Sequence, residues 1–233
     1  TMPAWAMAVL VVVGYALTTW LGLALMGPMG VSAFWPAAGF AAVMLLWAGT
    51  PWRRAITLVA ILAGYLVAEA LTGWTGATEL GFAAANLVEP IAILPFLVRA
   101  TQRDQRLNTP NSLLWFVIGC IVAPAVSGLV AASWSLTSGF TSIWLDVWTD
   151  LWAGDALGLL VMAPLLIQWR PLRVLWSQGA AWEQVALWLL VAGSIVQLAT
   201  GPALLTLPLA ALVVLALRLD AAATSLAVFC CAS

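Results

Sequence analysis

The chain contains no histidine and no lysine, and its formal charge rests on 8 arginines and 9 acidic residues, 7% of 233 positions. Without imidazole there is no histidine base, phosphoacceptor or metal ligand, and a serine protease of the membrane would lack its base. Soluble domains carry about 25% charged residues, so a chain with 7% cannot cover a water-facing surface. A cytosolic enzyme, a nucleic-acid binder and a secreted disulfide scaffold are thereby excluded. Cysteine is scarce: Cys120, Cys230 and Cys231 lie in apolar runs with no C-x-x-C spacing and read as buried thiols, not as ligands. We expect no metal site and no cofactor. There is no fixed-period repeat, and the longest polar stretch, Arg99 to Asn111, has only the length of a loop.

What is present is apolar: 64% of residues are hydrophobic and the mean hydropathy is +1.08. With ~17 to 25 apolar residues as the template of a spanning helix, helix 1 falls at about 3 to 26 and helix 2 at about 35 to 49. By the same template, helix 3 covers about 54 to 72, helix 4 about 79 to 98, and helix 5 about 111 to 132. Helix 6 then covers about 141 to 169, helix 7 about 182 to 199, helix 8 about 203 to 218, and a ninth begins at about 221. The expected fold is all-α: a polytopic transmembrane bundle of about eight spans plus the start of a ninth. Pro90 and Pro95 predict a bend in helix 4 and not a break. Thr1 in place of an initiator Met, and a last apolar run too short to cross a bilayer, lead us to expect a piece of a longer protein, with residues 1–233 as one domain.

Arginine tests this helix count. Arg53 and Arg54 follow helix 2; Arg99, Arg103 and Arg106 follow helix 4; Arg170 and Arg173 follow helix 6; Arg218 follows helix 8. One missed span would put later arginines on the other side, yet all fall on the same one. Basic residues collect in cytoplasmic loops, so the N-terminus is expected in the cytoplasm. Trp5, Trp52, Trp74, Trp169, Trp176 and Trp182 fall near helix ends, where an aromatic belt belongs.

Acids inside the apolar segments are costly, ~2.5 to 3.5 kcal/mol for a central Asp, and mark function by default. They are Glu69 in helix 3, Glu89 in helix 4, and Asp146, Asp150 and Asp155 in helix 6, with Asn86 one turn from Glu89. All the arginines lie at helix ends, so these acids have no basic partner of their own. Counting ~1.5 Å per residue puts Glu89 and Asp155 at similar depth near the midplane, with the others toward the outer side. Two readings stay open: a structural polar network, or an outward-facing polar cavity for a small ligand, a cation or a proton. Helix 2 is also unusual, since its ~15 residues reach ~22 Å against a ~30 Å core. Pro36 suits its first turn, and its half-buried N-terminus calls for an anion, either one of the chain's own carboxylates or a ligand. For helix contacts, Gly14, Gly22, Gly154 and Gly158 read as packing positions.

Two decoys fail. Ala153-Gly154-Asp155 and Pro202-Ala203-Leu204 resemble motifs of intramembrane aspartyl proteases, but Trp152 stands where the first Gly belongs and no Tyr-Asp occurs. Three other stretches carry a resemblance over nearly the whole chain: Phe34-Trp35-Pro36-Ala37-Ala38-Gly39, Ala85-Asn86-Leu87-Val88-Glu89-Pro90, and Trp148 through Gly158 leading to Pro164-Leu165-Leu166. Their order and spacing resemble the first membrane-associated sensor (MASE) family, bacterial polytopic input domains placed before histidine kinases and diguanylate cyclases. The W-P-x-x-G and W-x-G-D-x-x-G elements are the specific ones. The resemblance implies that Trp35, Pro36, Gly39, Asn86, Glu89, Trp152, Gly154, Asp155, Gly158 and Pro164 occupy signature positions. It further implies a non-catalytic sensory domain of the inner membrane, surrounded by lipid, with a cytoplasmic output domain in the same chain and a homodimeric assembly. From the residues alone the rival is a small secondary transporter or ion-coupled permease using the midplane carboxylates, although no inverted repeat is visible.

Overall fold

The computed structural model describes residues 2–24, 34–73, 79–102, 107, 109–139 and 143–167. They form six helices: α1 (Ala4–Ala24), α2 (Pro36–Ala48), α3 (Pro51–Thr72), α4 (Glu79–Thr101), α5 (Pro110–Thr137) and α6 (Trp144–Ile167). No strand occurs among the described residues. The expected helices 7 and 8 and the start of the ninth lie outside them. The chain divides into two units, residues 1–163 and 164–233, and of the second only residues 164–167, in α6, are described.

Local chemistry sets the boundaries. Proline stands in the first turn of α2, α3 and α5, where a missing N–H costs nothing. Thr109 caps α5 by accepting the Ser112 N–H at 3.1 Å, as a threonine N-cap should. Gly73 ends α3 in the left-handed region at φ 78°, the usual glycine stop. α4 runs through both Pro90 and Pro95.

Among the described residues, five helices are long and apolar enough to cross a membrane, and α2 is not one of them. Its 13 residues reach ~20 Å at ~1.5 Å each. It is apolar all round, the mark of a helix enclosed by protein, and all of its residues but Leu46 and Trp47 are buried. Small residues bring α1 close to α2 and α3 close to α1. Gly14 of α1 faces the Phe40 ring, Gly22 faces the Trp35 ring, and Gly64 of α3 rests on the α1 backbone at Val12. Such contacts supply the van der Waals packing that joins helices where lipid is as apolar as their side chains.

Direction follows from contacts. Arg53 in the first turn of α3 donates to the Met2 carbonyl, so α1 and α3 run parallel. Arg54 and Arg99 share one groove, so α4 returns. The Arg99 guanidinium lies 5.1 Å from the Trp115 ring centroid near the start of α5, and Trp134 near the end of α5 meets Gly81. Residue 2 and the described arginines therefore share one end of the bundle. Trp5 and Trp52, 72% and 58% exposed, lie in the first turns at that end. Arg103, Arg106, Arg170, Arg173, Arg218, Trp74, Trp169, Trp176 and Trp182 lie outside the described residues.

Candidate functional site

The site begins where α2 starts. The Trp35 N–H donates to the Gly154 carbonyl at 3.1 Å, halfway along α6. In a helix, the side chain four residues on leans back over a carbonyl. Here that residue is Gly158, which has none, and a Cβ built on it would overlap the Trp35 carbonyl oxygen. One turn into α2, a Cβ on Gly39 would lie 2.6 Å from the Gly158 oxygen and 2.9 Å from the Ala163 nitrogen. The W-P-x-x-G and G-D-x-x-G elements are thus two halves of one backbone contact. The N-terminus of α2 has no side-chain cap. Where we expected a carboxylate or a ligand anion, a backbone carbonyl of α6 takes the Trp35 N–H.

Asn86 joins three helices to this contact. Its Oδ1 accepts the Tyr15 hydroxyl at 2.8 Å and the Trp35 indole N–H at 3.3 Å, while its Nδ2 donates to the Phe82 carbonyl at 2.9 Å. An indole nitrogen can only donate, which fixes the orientation of the amide. Pro90, buried four residues on, brings no N–H to the Asn86 main-chain carbonyl. One turn from Asn86, Glu89 is 1% exposed, and its Oε1 has no hydrogen-bond partner among the described residues. Asp155, half-buried on α6 and next to Gly154, lies close enough to Glu89 to interact with it electrostatically. Tyr15 is within electrostatic range of both. The nearest described arginine on α4, Arg99, is ten residues from Glu89, ~15 Å along the axis.

A second acidic group lies toward the opposite end from the arginines. The Tyr65 hydroxyl donates to Glu79 Oε2 at 2.9 Å, and Glu69 adjoins both residues. Glu69 is 6% exposed, and its Oε2 also lacks a partner among the described residues. Tyr15 is within electrostatic range of Glu69 as well as of Glu89 and Asp155.

Of the expected site residues, Trp35, Asn86, Glu89 and Asp155 come together, and Glu69 belongs to the neighbouring group. Asp146 and Asp150 are exposed on α6, and the α6 acid within electrostatic range of Glu89 is Asp155. Trp152 points elsewhere: with Trp144 and Trp148 it forms a ladder of stacked rings, centroids 5.9 and 5.5 Å apart. Their indole N–H groups donate to α5, from Trp152 to the Ile121 carbonyl at 2.9 Å and from Trp148 to the Ala125 carbonyl at 3.0 Å. Trp144 completes the ladder on the Ser133 hydroxyl at 3.2 Å. Pro36 stands in the first turn of α2, and Pro164 is buried within α6. Sequence reasoning missed Tyr15, Tyr65 and Glu79. The available signal was that the chain has only 2 tyrosines, both inside apolar helices, where a phenol must find an acceptor.

Among the described residues, no group of three or more His, Cys, Asp or Glu side chains is arranged to hold a metal ion. The site is rich in acceptors and poor in cations, so what it can hold is a proton, a cation or hydrogen-bond donors. A family model described as MASE1 matches residues 6–233 of the chain. No curated protein and no solved structure matches it.

Proposed function

The chain belongs to the MASE1 family of membrane-associated sensor domains, and from that premise we propose that it reads its signal at the Glu89–Asp155 pair. The domain transmits a signal and catalyses nothing itself. The observation that carries this reading is Glu89: a carboxyl 1% exposed, with one oxygen unpartnered among the described residues, within electrostatic range of a second acid, Asp155. An intramembrane acid left in that state is expensive, and a structural network would have used the acceptor.

The coupling follows from the geometry. Two carboxylates repel when both are charged and share a proton or cation when one charge is removed. Glu89 sits on α4 and Asp155 on α6, so occupation changes how closely these helices approach. The α2 start is tied to α6 through Gly154 and to α4 through Asn86, so it registers the change directly. A ligand shifts such an equilibrium only by its differential affinity for the two arrangements. In this reading α6 carries the change to the arginine-bearing end, which faces the bacterial cytoplasm, and onward to a histidine kinase or diguanylate cyclase in the same chain, working as a dimer. Glu69, Glu79 and Tyr65 form the outer approach to the pair.

The test is thermal unfolding of the purified full-length protein against a panel of monovalent cations, divalent cations and primary amines, and across a pH series. A ligand that binds only the folded state raises the midpoint by mass action, and we expect one such class to do so in the wild type and not in Glu89→Gln. Uptake of that ligand into proteoliposomes would instead favour the transporter reading.

A further inference from the structure

At the arginine-bearing end, the first turn of α3 and the last turns of α4 bound a shallow groove of about 390 Å3 lined by Arg54, Arg99, Gln102, Leu94, Pro95 and Val98. Among the described residues no acid lines it. Arg99 rests its guanidinium over Trp115 at 5.1 Å, which positions the cation without neutralising it. Arg54 is half-buried; its Nε is buried without a partner among the described residues, so its hydrogen bonding falls to the terminal nitrogens.

The groove is polar at one end only. Leu94 and Val98 stand one helical turn apart, and Pro95 leads one turn further along α4 to Ile91, which is 51% exposed. An apolar strip therefore runs from beneath the two guanidinium groups into the spanning part of α4. A free phosphate ion would use the arginines and gain nothing from that strip. A zwitterionic lipid would bring its own cation against them. Arginine binds phosphate bidentately, and basic pockets between membrane helices suit anionic head groups. We propose that the groove binds an anionic phospholipid, its phosphate between Arg54 and Arg99 and its first acyl segment along Leu94, Pro95 and Val98.

The experiment is native mass spectrometry of the full-length protein, delipidated and then offered phosphatidylglycerol and phosphatidylcholine in equal amounts. In parallel, thermal unfolding is followed with phosphatidylglycerol or with inorganic phosphate. We expect phosphatidylglycerol to be retained roughly tenfold over phosphatidylcholine, a factor that corresponds to one well-made charge-assisted contact, and inorganic phosphate to leave the midpoint unmoved. The double variant Arg54→Gln, Arg99→Gln should lose the preference. Val98→Trp, which fills the groove and keeps both charges, should lose it too, and it decides the matter alone if the arginine variant does not fold. Inorganic phosphate stabilising as well as the lipid, or an unchanged preference in Val98→Trp, overturns the proposal.

Discussion

The backbone N–H of Trp35 and the carbonyl oxygen of Gly154 are 3.1 Å apart, a main-chain hydrogen bond between the start of a buried helix and the middle of a spanning one. It forms because Gly158 leaves the Gly154 carbonyl uncovered. Two sequence elements more than a hundred residues apart are thereby one structural unit, and everything attached to them is positioned together: Asn86 through the Trp35 indole, Asp155 through its neighbour Gly154.

This contact makes Gly158 the least replaceable glycine described. A Cβ there would meet the Trp35 carbonyl carbon at 2.6 Å, and backbone cannot rotate away as a side chain can. Gly158→Ala should cost at least about 1–3 kcal/mol, the usual range for overpacking. Gly128→Ala, where the nearest atom is Trp148 Cδ1 at 3.1 Å, should cost much less. Thermal unfolding of both variants in detergent checks the order, and equal stability would remove the close-approach explanation.

Asn86 should matter through two donors at once. Asn86→Leu strands the Tyr15 hydroxyl and the Trp35 indole N–H, each worth about 1–3 kcal/mol when left unsatisfied in a buried place. Tyr15→Phe removes one donor and should cost about 1 kcal/mol. In the double variant Tyr15→Phe, Asn86→Leu the losses should fall short of additive, because the two side chains share a bond. A strictly additive double-mutant cycle would contradict the hub.

Much of this fold is legible in residue pattern, and the misses have physical reasons. Helix 1 begins at Ala4, within one residue of expectation. α3 begins at Pro51, ahead of the expected position 54, because Trp52, Arg53 and Arg54 form its first turn behind an N-terminal proline. α5 runs to Thr137, past the expected end at 132; Ser133 accepts the Trp144 indole N–H and Trp134 packs against Gly81, so these residues extend the helix instead of ending it. Helix 2 is correctly short, but its enclosure was not readable: an all-apolar helix of 13 residues looks alike facing lipid or protein. That Glu89 and Asp155 come within electrostatic range of each other was legible from their similar depth along the helices. Tyr15 and Glu79 were not, because depth says nothing about which helix faces which. The bond from Trp152 to the Ile121 carbonyl on α5 was not legible, because a backbone acceptor carries no side-chain signature.

The topology gives a further test. Gln102 lies by the arginine groove, whereas Gly139, exposed just past α5, lies at the other end of the bundle. In a cysteine-free background, Gly139→Cys should react with an impermeant thiol reagent in intact cells and Gln102→Cys only after permeabilisation. The reverse pattern would invert the membrane orientation.

The most direct test of the central claim is the output activity of the full-length protein in lipid nanodiscs, wild type against Glu89→Gln and Asp155→Asn, measured with the cation, amine or pH change that stabilises the wild type. Each amide keeps the shape of the acid it replaces and removes its charge, so folding should survive in both variants. The account predicts that both retain basal output and lose its response to the stimulus. Both variants responding as the wild type does would contradict it and return Glu89 and Asp155 to a structural role.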